Sequence, residues 1–581
     1  MIYPLLFLLS AGLNILVGLH DWHLVLAGSL QDPDSYMRLL RIEQGIKAGH
    51  LLTNVAGDQS GAGVMVEWSR LLDIIIWLLA APMVPFIGWH KALFAAGVAL
   101  GPLGVGALGV SLAWAVEPFS LRRHLWAAAA AAALLPALES IALPGVVHYH
   151  IALLALIALT AGCVLRALRE DRWFGFLAGI AGGFAIWMTP ETMPFVLMAY
   201  AALALRWLKT PNAATLMATG AGFFDVLAFG LFVDPPAGGY GVPEIDRLSL
   251  VYVALGLILL ASATVLSRLP PKPWRGWLGL LIMALPLLGW IIAFPGVIEG
   301  PSGLLPPQEE KAFFGVMLEL SSLHGLELPV FLLPGSWAVL YAALRAWHER
   351  KPSLADLAAP PPFGAPLRTP LAWAYVAICA AVALWLGANY LLFTSISAIF
   401  AAAFLPVALS AIEAKGGSLA GIKRIGLLAL ILLTPFLAAQ AEGQTPTPAK
   451  AKAFPSCNLL GIAPLLAPAA GQVVLAQPED TPELLYRSHV LTVGSLYQHG
   501  VSGFMKDRAA WRATPGTTPP QAVIATGAKY ILFCPQAGRY LLVNDLPDKT
   551  LWGALNKNTP PPWLHAMGHN KNGWVLYKIV P

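Results

Sequence analysis

Apolar segments long enough to cross a bilayer recur through most of this chain, and their spacing restricts the fold more than any motif does. A spanning helix needs about 20 mostly apolar residues, a few fewer or more with tilt. Segments of this kind fall near 3–19, 92–116, 125–143, 150–168, 174–189, 193–208, 213–233, 249–267, 277–294, 328–346, 371–391, 393–412 and 425–441, thirteen in all. Of the 581 residues only 12% are charged, against about 25% in a soluble domain. A soluble enzyme is thereby excluded, and the chain reads as a polytopic α-helical membrane protein. The first segment lacks the basic flank and small-residue cleavage site of a signal peptide and is expected to stay in place. The formal charge of +5 comes from basic residues in short loops, not from a tract interleaved with aromatics. That leaves no case for a nucleic-acid partner.

One apolar stretch, 71–87, is not counted as a span. With it left out, Arg122 and Arg123, Arg166 to Arg172, Lys209, Arg268 to Arg275, Arg345 with Arg350 and Lys351, and Lys415 to Arg424 all reach one face. Positive loops mark the cytoplasmic side, so the N-terminus is expected there. Asp73, Pro82 and Pro85 within the stretch also suit an interfacial helix. The opposite face then receives residues 20–91, a turn around Gly145–Tyr149, a turn at Glu191–Met193, residues 234–248, residues 295–327, and everything after about 442.

The C-terminal stretch of the chain differs in kind. Residues 442–456 read as a Thr-, Pro- and Ala-rich linker that separates a membrane domain, 1–441, from a domain over 457–581. Short apolar runs at 471–476, 489–493, 529–534 and 574–580 suggest strands. The segments around 482–486, 519–528 and 551–555 suggest helices, so the expectation is an α/β fold. Cys457 and Cys534 lie in this domain and form a disulfide if it is outside the cytosol and the two thiols meet. Cys163 and Cys379 sit in apolar spans, where packing is their expected role.

Chemistry is sought on the face that collects polar chain. The stretch Leu30-Gln-Asp-Pro-Asp-Ser-Tyr-Met-Arg-Leu-Leu-Arg-Ile42 offers two readings. Asp32 before Pro33 is a good helix cap, and Asp34 suits the positive end of the helix dipole. Alternatively the carboxylates face a charged substrate or a metal, with Arg38 and Arg41 on the same helical face as Asp34. His148 and His150, in Gly145-Val-Val-His-Tyr-His150, suit a metal site or acid/base work, or else a polar–aromatic interfacial belt. Glu191 in Pro190-Glu-Thr-Met-Pro194 is a binding candidate or a solvated turn residue. Glu299 and Glu319 are the candidates in the long loop 295–327, of a length usual for lids or binding loops, and Glu309, Glu310 and Lys311 read as a solvated face. Asp225 sits in the middle of a span, where an ionisable group is costly. P-loop, dinucleotide-binding, Gly-x-Ser-x-Gly and His-Glu-x-x-His signatures are absent from the sequence.

This arrangement resembles the GT-C superfamily of membrane glycosyltransferases. Its topology is most like the catalytic subunit of oligosaccharyltransferase, over nearly the whole chain. The resemblance rests on the thirteen spans, the acidic first loop with an interfacial helix at Trp68–Ile87, the second loop at Gly145–His150, and the outer C-terminal domain. The sequence is also similar to a bacterial branch of such proteins in Gln31–Arg38, Trp68-Ser-Arg-Leu-Leu-Asp73, Gly145–His150 and Pro190-Glu-Thr-Met-Pro-Phe195. Two features depart from the family. Histidines stand where the second loop carries acids, and the Trp-Trp-Asp-Tyr-Gly motif of the C-terminal domain is missing.

The resemblance implies transfer of a sugar from a polyprenyl-phosphate donor to an acceptor glycan, lipid or protein. The setting would be the outer face of a bacterial inner membrane, with a periplasmic C-terminal domain. Asp34, His148, His150 and Glu319 are the expected catalytic residues. Asp32, Arg38, Arg70 and Glu191 are expected to bind substrate, with Arg38 or Arg70 on the carrier phosphate. A divalent metal, Mn²⁺ or Mg²⁺, is expected at Asp34 and His148 if the histidine substitutions tolerate one. A transporter or flippase of a lipid-linked glycan, or a non-catalytic relative, are the other readings.

Overall fold

Glycine spacing decides how the central membrane helices pack. Helices α1 (Ile2–Val17), α2 (Pro33–Ala48), α3 (Leu71–Ala80), α4 (Val84–Val116), α5 (Trp126–Leu134), α6 (His150–Ala167), α7 (Arg172–Met188), α8 (Met193–Lys209) and α9 (Ala214–Val233) form the first half of the membrane domain. On α7, Gly175, Gly179 and Gly183 recur every fourth residue and so line one face. A Cβ at Gly179 would collide with the Thr219 carbonyl of α9, and one at Gly222 of α9 with the Phe176 carbonyl of α7. Small residues let two helix backbones approach this closely in a membrane, where burial of apolar surface gives no drive toward association.

The second half comprises α10 (Leu250–Leu266), α11 (Arg275–Ala293), α12 (Glu327–His348), α13 (Pro370–Asn389), α14 (Thr394–Lys415) and α15 (Ala420–Leu432). The computed structural model describes residues 2–169, 171–210, 212–270, 272–325, 327–349, 370–433, 457–535 and 549–580. The expected linker 442–456, Arg350, Lys351 and the second half of the expected span 425–441 lie outside them. Among the described residues, eight helical stretches are long and apolar enough to cross a membrane, and α7 and α10 are shorter apolar helices.

Two expectations about single spans meet backbone chemistry. Segment 125–143 is not one helix. α5 ends at Leu134, Leu135 is extended, and a short helix Pro136–Glu139 follows, because proline lacks the N–H and clashes with the preceding turn. α1 is tied to α5 by Ser10 Oγ on the Ala129 carbonyl (2.7 Å) and to the opened region by Asn14 Nδ2 on the Ala142 carbonyl (3.0 Å). In the uncounted stretch 71–87, α3 runs into a 3₁₀ turn at Ala81–Met83. Gly88 then breaks helical geometry at φ 74°, a conformation glycine tolerates without penalty. That break separates the stretch from the long helical run that follows it.

The C-terminal domain is built on strands β3 (Val473–Leu475), β4 (Leu491–Thr492), β5 (Tyr530–Phe533), β6 (Leu564–His569) and β7 (Val575–Ile579), after the small hairpin β1–β2 (Asn54–Val55, Val64–Met65) of the first loop. The sheet order is β4-β3-β5-β7-β6. β3 lies parallel to β4 and β5, and β7 antiparallel to β5 and β6. Four of the strands match the apolar runs. β6 does not, since five of its six residues lie outside the buried core. Helices α16 (Thr481–Arg487), α17 (Val501–Arg512) and α18 (Leu551–Asn556) cover the sheet. Cys457 and Cys534 are joined in a disulfide.

The β1–β2 hairpin plugs the first loop into this domain. The Gly57 carbonyl accepts from Thr492 N at 2.9 Å, and Ser60 Oγ donates to the Thr526 carbonyl at 2.8 Å. Buried Asp58 accepts from Thr492 Oγ1 and Ser495 Oγ. α16 in turn packs on α2, with Arg487 donating to the Tyr36 hydroxyl at 2.9 Å.

Gly179→Val is expected to destabilise the membrane domain by roughly 2–4 kcal/mol, the range for overpacked or backbone-shifting core changes. Gly289→Ala, where an added Cβ meets nothing within 4 Å, is expected to leave it unchanged. Thermal melting of the two variants in detergent checks the contrast.

Candidate functional site

The start of α2 brings the first two loops together. Asp32 has extended backbone angles (φ −149°, ψ 161°) and caps the helix, with Pro33 in its first position. Its carboxylate accepts from Ser35 N and Ser35 Oγ, each at 2.8 Å. Ser35 Oγ in turn accepts from Val147 N at 2.8 Å, which fixes the second loop against the first. This places His148 Nε2 2.9 Å from Asp32 Oδ1 and 4.0 Å from Asp34 Oδ2. The other Asp34 oxygen, Oδ1, accepts from the Tyr497 hydroxyl at 2.8 Å. Tyr497 belongs to the C-terminal domain and lies edge-on to Trp68, 5.2 Å between centroids. Asp34 is thus held between a histidine of the membrane domain and a tyrosine of the other domain, with 39% of its side chain still exposed.

Electrostatics divide the two aspartates. Burial raises the Asp32 carboxyl, but the His148 charge and the hydrogen bonds from His148 and Ser35 outweigh it and hold Asp32 below its usual value. Asp34 goes the other way. Desolvation raises it, Asp32 adds to the rise, and His148, Tyr497 and Arg38 only partly hold it back. Burial opposes the charged form of His148, yet the Asp32 carboxylate and its hydrogen bond raise the imidazole to about 9. His148 is a cation at neutral pH.

The two arginines expected on a carrier phosphate are occupied. Arg38 donates to Asp73 Oδ1 (3.0 Å) and the Val147 carbonyl (3.1 Å), and Arg41 donates to Asp73 Oδ2 (2.7 Å). Arg70 is paired with Asp234, which also accepts from Ser69 Oγ, Trp187 Nε1 and Arg247 Nη2 at 3.0–3.1 Å. Arg38 is 2% and Arg70 6% exposed. The correction is that both guanidinium groups serve as buried struts here and neither is open to a ligand. Asp73 and Asp234 are the reason, and nothing in the local sequence marks either as an ion-pair partner.

The His-Tyr-His turn does not act as a pair. His150 opens α6 with its ring 5.4 Å from that of His148. It is 5% exposed, and neither ring nitrogen has a hydrogen-bond partner. Only His148 reaches the aspartates. Glu191, in a 3₁₀ turn at Pro190–Thr192, feels the charges of Glu319 and Glu67. Glu319, in a turn at Leu318–Leu320, acts on Asp34, His148 and Asp32. Asp225 lies on an exposed face of α9.

Sequence reasoning missed Glu67, Tyr149, Asp246, Tyr497 and His499. His499 Nε2 lies 2.7 Å from Asp246 Oδ2, which links the C-terminal domain to the loop before α10. Burial pushes Glu67 up to about 7, helped by the charges of Asp246 and Asp34. Burial, with Glu319 and Glu67, pushes Glu191 up to about 7 as well. Glu67 adjoins the Trp68-Ser-Arg motif and Tyr149 stands between the two histidines, so those two had a local signal. Tyr497 and His499 had none.

The donor set does not suit a divalent metal. Mn²⁺ and Mg²⁺ favour several oxygen ligands, whereas the group facing Asp34 at 4.0 Å is the His148 imidazole, whose Nε2 is engaged with Asp32 at 2.9 Å. Among the described residues no three or more His, Cys, Asp or Glu side chains are arranged to hold an ion.

Comparison with solved structures defines the fold. An archaeal oligosaccharyltransferase, AglB from Archaeoglobus fulgidus, in complex with an inhibitory peptide and a dolichol-phosphate, matches at TM-score 0.66 and 11% identity. The match covers 91% of this chain and 69% of that one. The same organism's enzyme tethered to an acceptor peptide containing the NVT sequon matches at TM-score 0.65 and 12% identity, over 100% and 74% of the two chains. Its apo form matches at TM-score 0.64 and 13% identity, over 92% and 69%. No family model matches the sequence, and no curated protein matches it. The chain therefore shares the fold of these structures, a polytopic helical membrane domain followed by an α/β domain.

The raised His148 carries a sign. Its folded value lies above the ordinary 6.5, so its stabilisation is complete below about pH 6.5 and is lost as pH rises through about 9. The proton-linked part of the cost of His148→Ala is expected to be on the order of 2 kcal/mol near pH 6 and to vanish near pH 10, where only the loss of the ring's packing and of its neutral hydrogen bond remains. Paired melting curves at the two pH values check this.

Proposed function

We propose that this protein is a membrane glycosyltransferase that moves a sugar from a polyprenyl-phosphate carrier to an acceptor at the outer face of a bacterial inner membrane. The single observation that carries the reading is Asp34, a partly open carboxylate oriented from both sides by His148 and Tyr497. It sits at the seam between the two domains of an oligosaccharyltransferase-like fold. The C-terminal domain is periplasmic in this reading, in keeping with its disulfide.

Asp34 takes the proton of the acceptor hydroxyl as that oxygen bonds to the anomeric carbon. The bond from the anomeric carbon to the phosphate oxygen breaks, and the phosphate leaves with the electron pair. A base works best when its pKa lies close to the operating pH, and the raised Asp34 moves in that direction. Tyr497 fixes one oxygen by donating to it and so directs the other toward substrate. His148, the cation nearest Asp34, is the partner for the charge that develops on the leaving phosphate. Arg38 and Arg70 act at one remove, by holding the loops. Asp32 orients His148. Glu319 and Glu191 line the acceptor side, and His150 supports the turn from beneath. No step is routed through a metal.

Purified protein supplied with a polyprenyl-phosphate sugar is expected to release the free carrier phosphate, and Asp34→Ala to lose at least about 100-fold in rate. Tyr497→Phe removes a hydrogen bond that lowers the Asp34 pKa, so the acid limb of its pH–rate profile should move to higher pH. Equal release by wild type and Asp34→Ala would overturn the assignment.

A further inference from the structure

Asp225 sits where hydrocarbon gives a carboxyl nothing to bond to. It lies on α9, a helix long and apolar enough to span, nine residues before Asp234 at the outer end. At 1.5 Å per residue that is about 13 Å inward, close to the middle of a bilayer core about 30 Å thick. The packed sides of α9 are accounted for. Gly222 and Val226 lie against α7, and Gly220 and Phe224 against α10. Asp225 is on the remaining side, exposed, and among the described residues it makes no hydrogen bond or ion pair. Its surroundings are apolar: Phe229 and Phe232 on the same face are 58% and 69% exposed, and Leu257 of the adjoining α10 is 53% exposed. That is a lipid-facing belt and not a polar cleft.

An ionisable side chain facing lipid at this depth is costly and calls for a partner. The rest of the exposed face indicates which one. Ala214, Ala218, Ala221, Asp225 and Ala228 follow one another at alternating steps of four and three residues, the repeat of about 3.5 residues that keeps one seam turned toward a second helix. Ala214 is exposed and the other three alanines are half-buried. Small side chains let another backbone come close; alone they mark no interface, but the carboxyl at the centre of the seam does. Two copies of a multi-pass chain enter a bilayer the same way up. Across a two-fold axis along the membrane normal α9 therefore meets α9 in parallel, and Asp225 meets Asp225 at equal depth. A carboxyl in its neutral form has one donor and spare acceptor capacity, so two of them facing each other satisfy both without any further component. A foreign helix would have to bring a donor to the same depth and match the same spacing.

We propose that a second copy of this chain covers the outward side of α9, in a parallel two-fold dimer seamed by Ala214, Ala218, Ala221 and Ala228 and closed at its centre by a hydrogen-bonded pair of Asp225 carboxyls. This contact is independent of the reaction at Asp34.

The test uses the full chain, fluorescently tagged and reconstituted in lipid vesicles at graded protein-to-lipid ratios, with subunits counted by single-molecule photobleaching. The wild type is expected to pass from monomer to dimer as its density rises. Asp225→Leu should weaken association by about tenfold, as for loss of a hydrogen bond between membrane helices. Asp225→Asn, which keeps a donor and an acceptor, should retain it. Ala221→Leu should weaken it at unchanged melting temperature. Oxidation should trap Ala221→Cys as a disulfide-linked dimer and should not trap Trp277→Cys, at a position 77% exposed on α11. Monomers at every density overturn the proposal. So does a dimer whose strength ignores Asp225→Leu, or one trapped through Trp277→Cys and not through Ala221→Cys. Association that appears only with a different membrane protein, one carrying a cation at this depth, overturns it as well.

Discussion

Asp73 is the point on which the site depends. It receives Arg38 on one oxygen and Arg41 on the other, and so bolts α2 to α3. Arg38 at the same time donates to the Val147 carbonyl, so the second loop hangs from the same ion pair. Its guanidinium also lies 4.5 Å over the Trp68 ring. Removing one partner of such a buried, shared pair leaves an uncompensated charge, which is far more damaging than losing a surface ion pair. On the membrane-domain side this joint works beside the Asp32 cap and the Ser35 bond to Val147 in setting where Asp34 lies.

Asp234 has the matching role in a neighbouring layer. Two arginines, one indole and one hydroxyl converge on it, drawing the Trp68-Ser-Arg segment onto α7 and the loop before α10. The two buried carboxylates explain why arginines near a carboxylate-rich site do not themselves face it. They are structural cations, and the cation exposed to Asp34 is a histidine whose charge depends on its own aspartate.

Much of the fold was legible because membrane spans and basic loops are long, redundant signals. Chain-wide hydropathy located most of the helices, and Pro136 and Gly88 account for where single-span expectations gave way to broken helices. Of the site, what was legible was local. Asp32-Pro33-Asp34 reads as a cap followed by a free carboxylate, and the structure has Asp32 capping. Less was readable where partners come from far away. Nothing around Tyr497 or His499 marks them, since their meaning lies in contacts with Asp34 and Asp246, 463 and 253 positions distant. Arg38 and Arg70 carried the right chemistry for phosphate, and pairing decided otherwise. His148 and His150 look equivalent in sequence, but their different directions at the start of α6 give one of them an aspartate and leave the other buried without a partner.

The contact between Tyr497 and Asp34 also sets an order of events during biosynthesis. A chain emerges from its N-terminus and its domains fold as units along the way, so Asp34 is in place long before Tyr497 has been made. Pairings this distant in sequence close late. A nascent membrane domain thus carries the carboxylate without the hydroxyl that orients it, and the two-sided site is complete only once the chain as far as Tyr497 has been delivered.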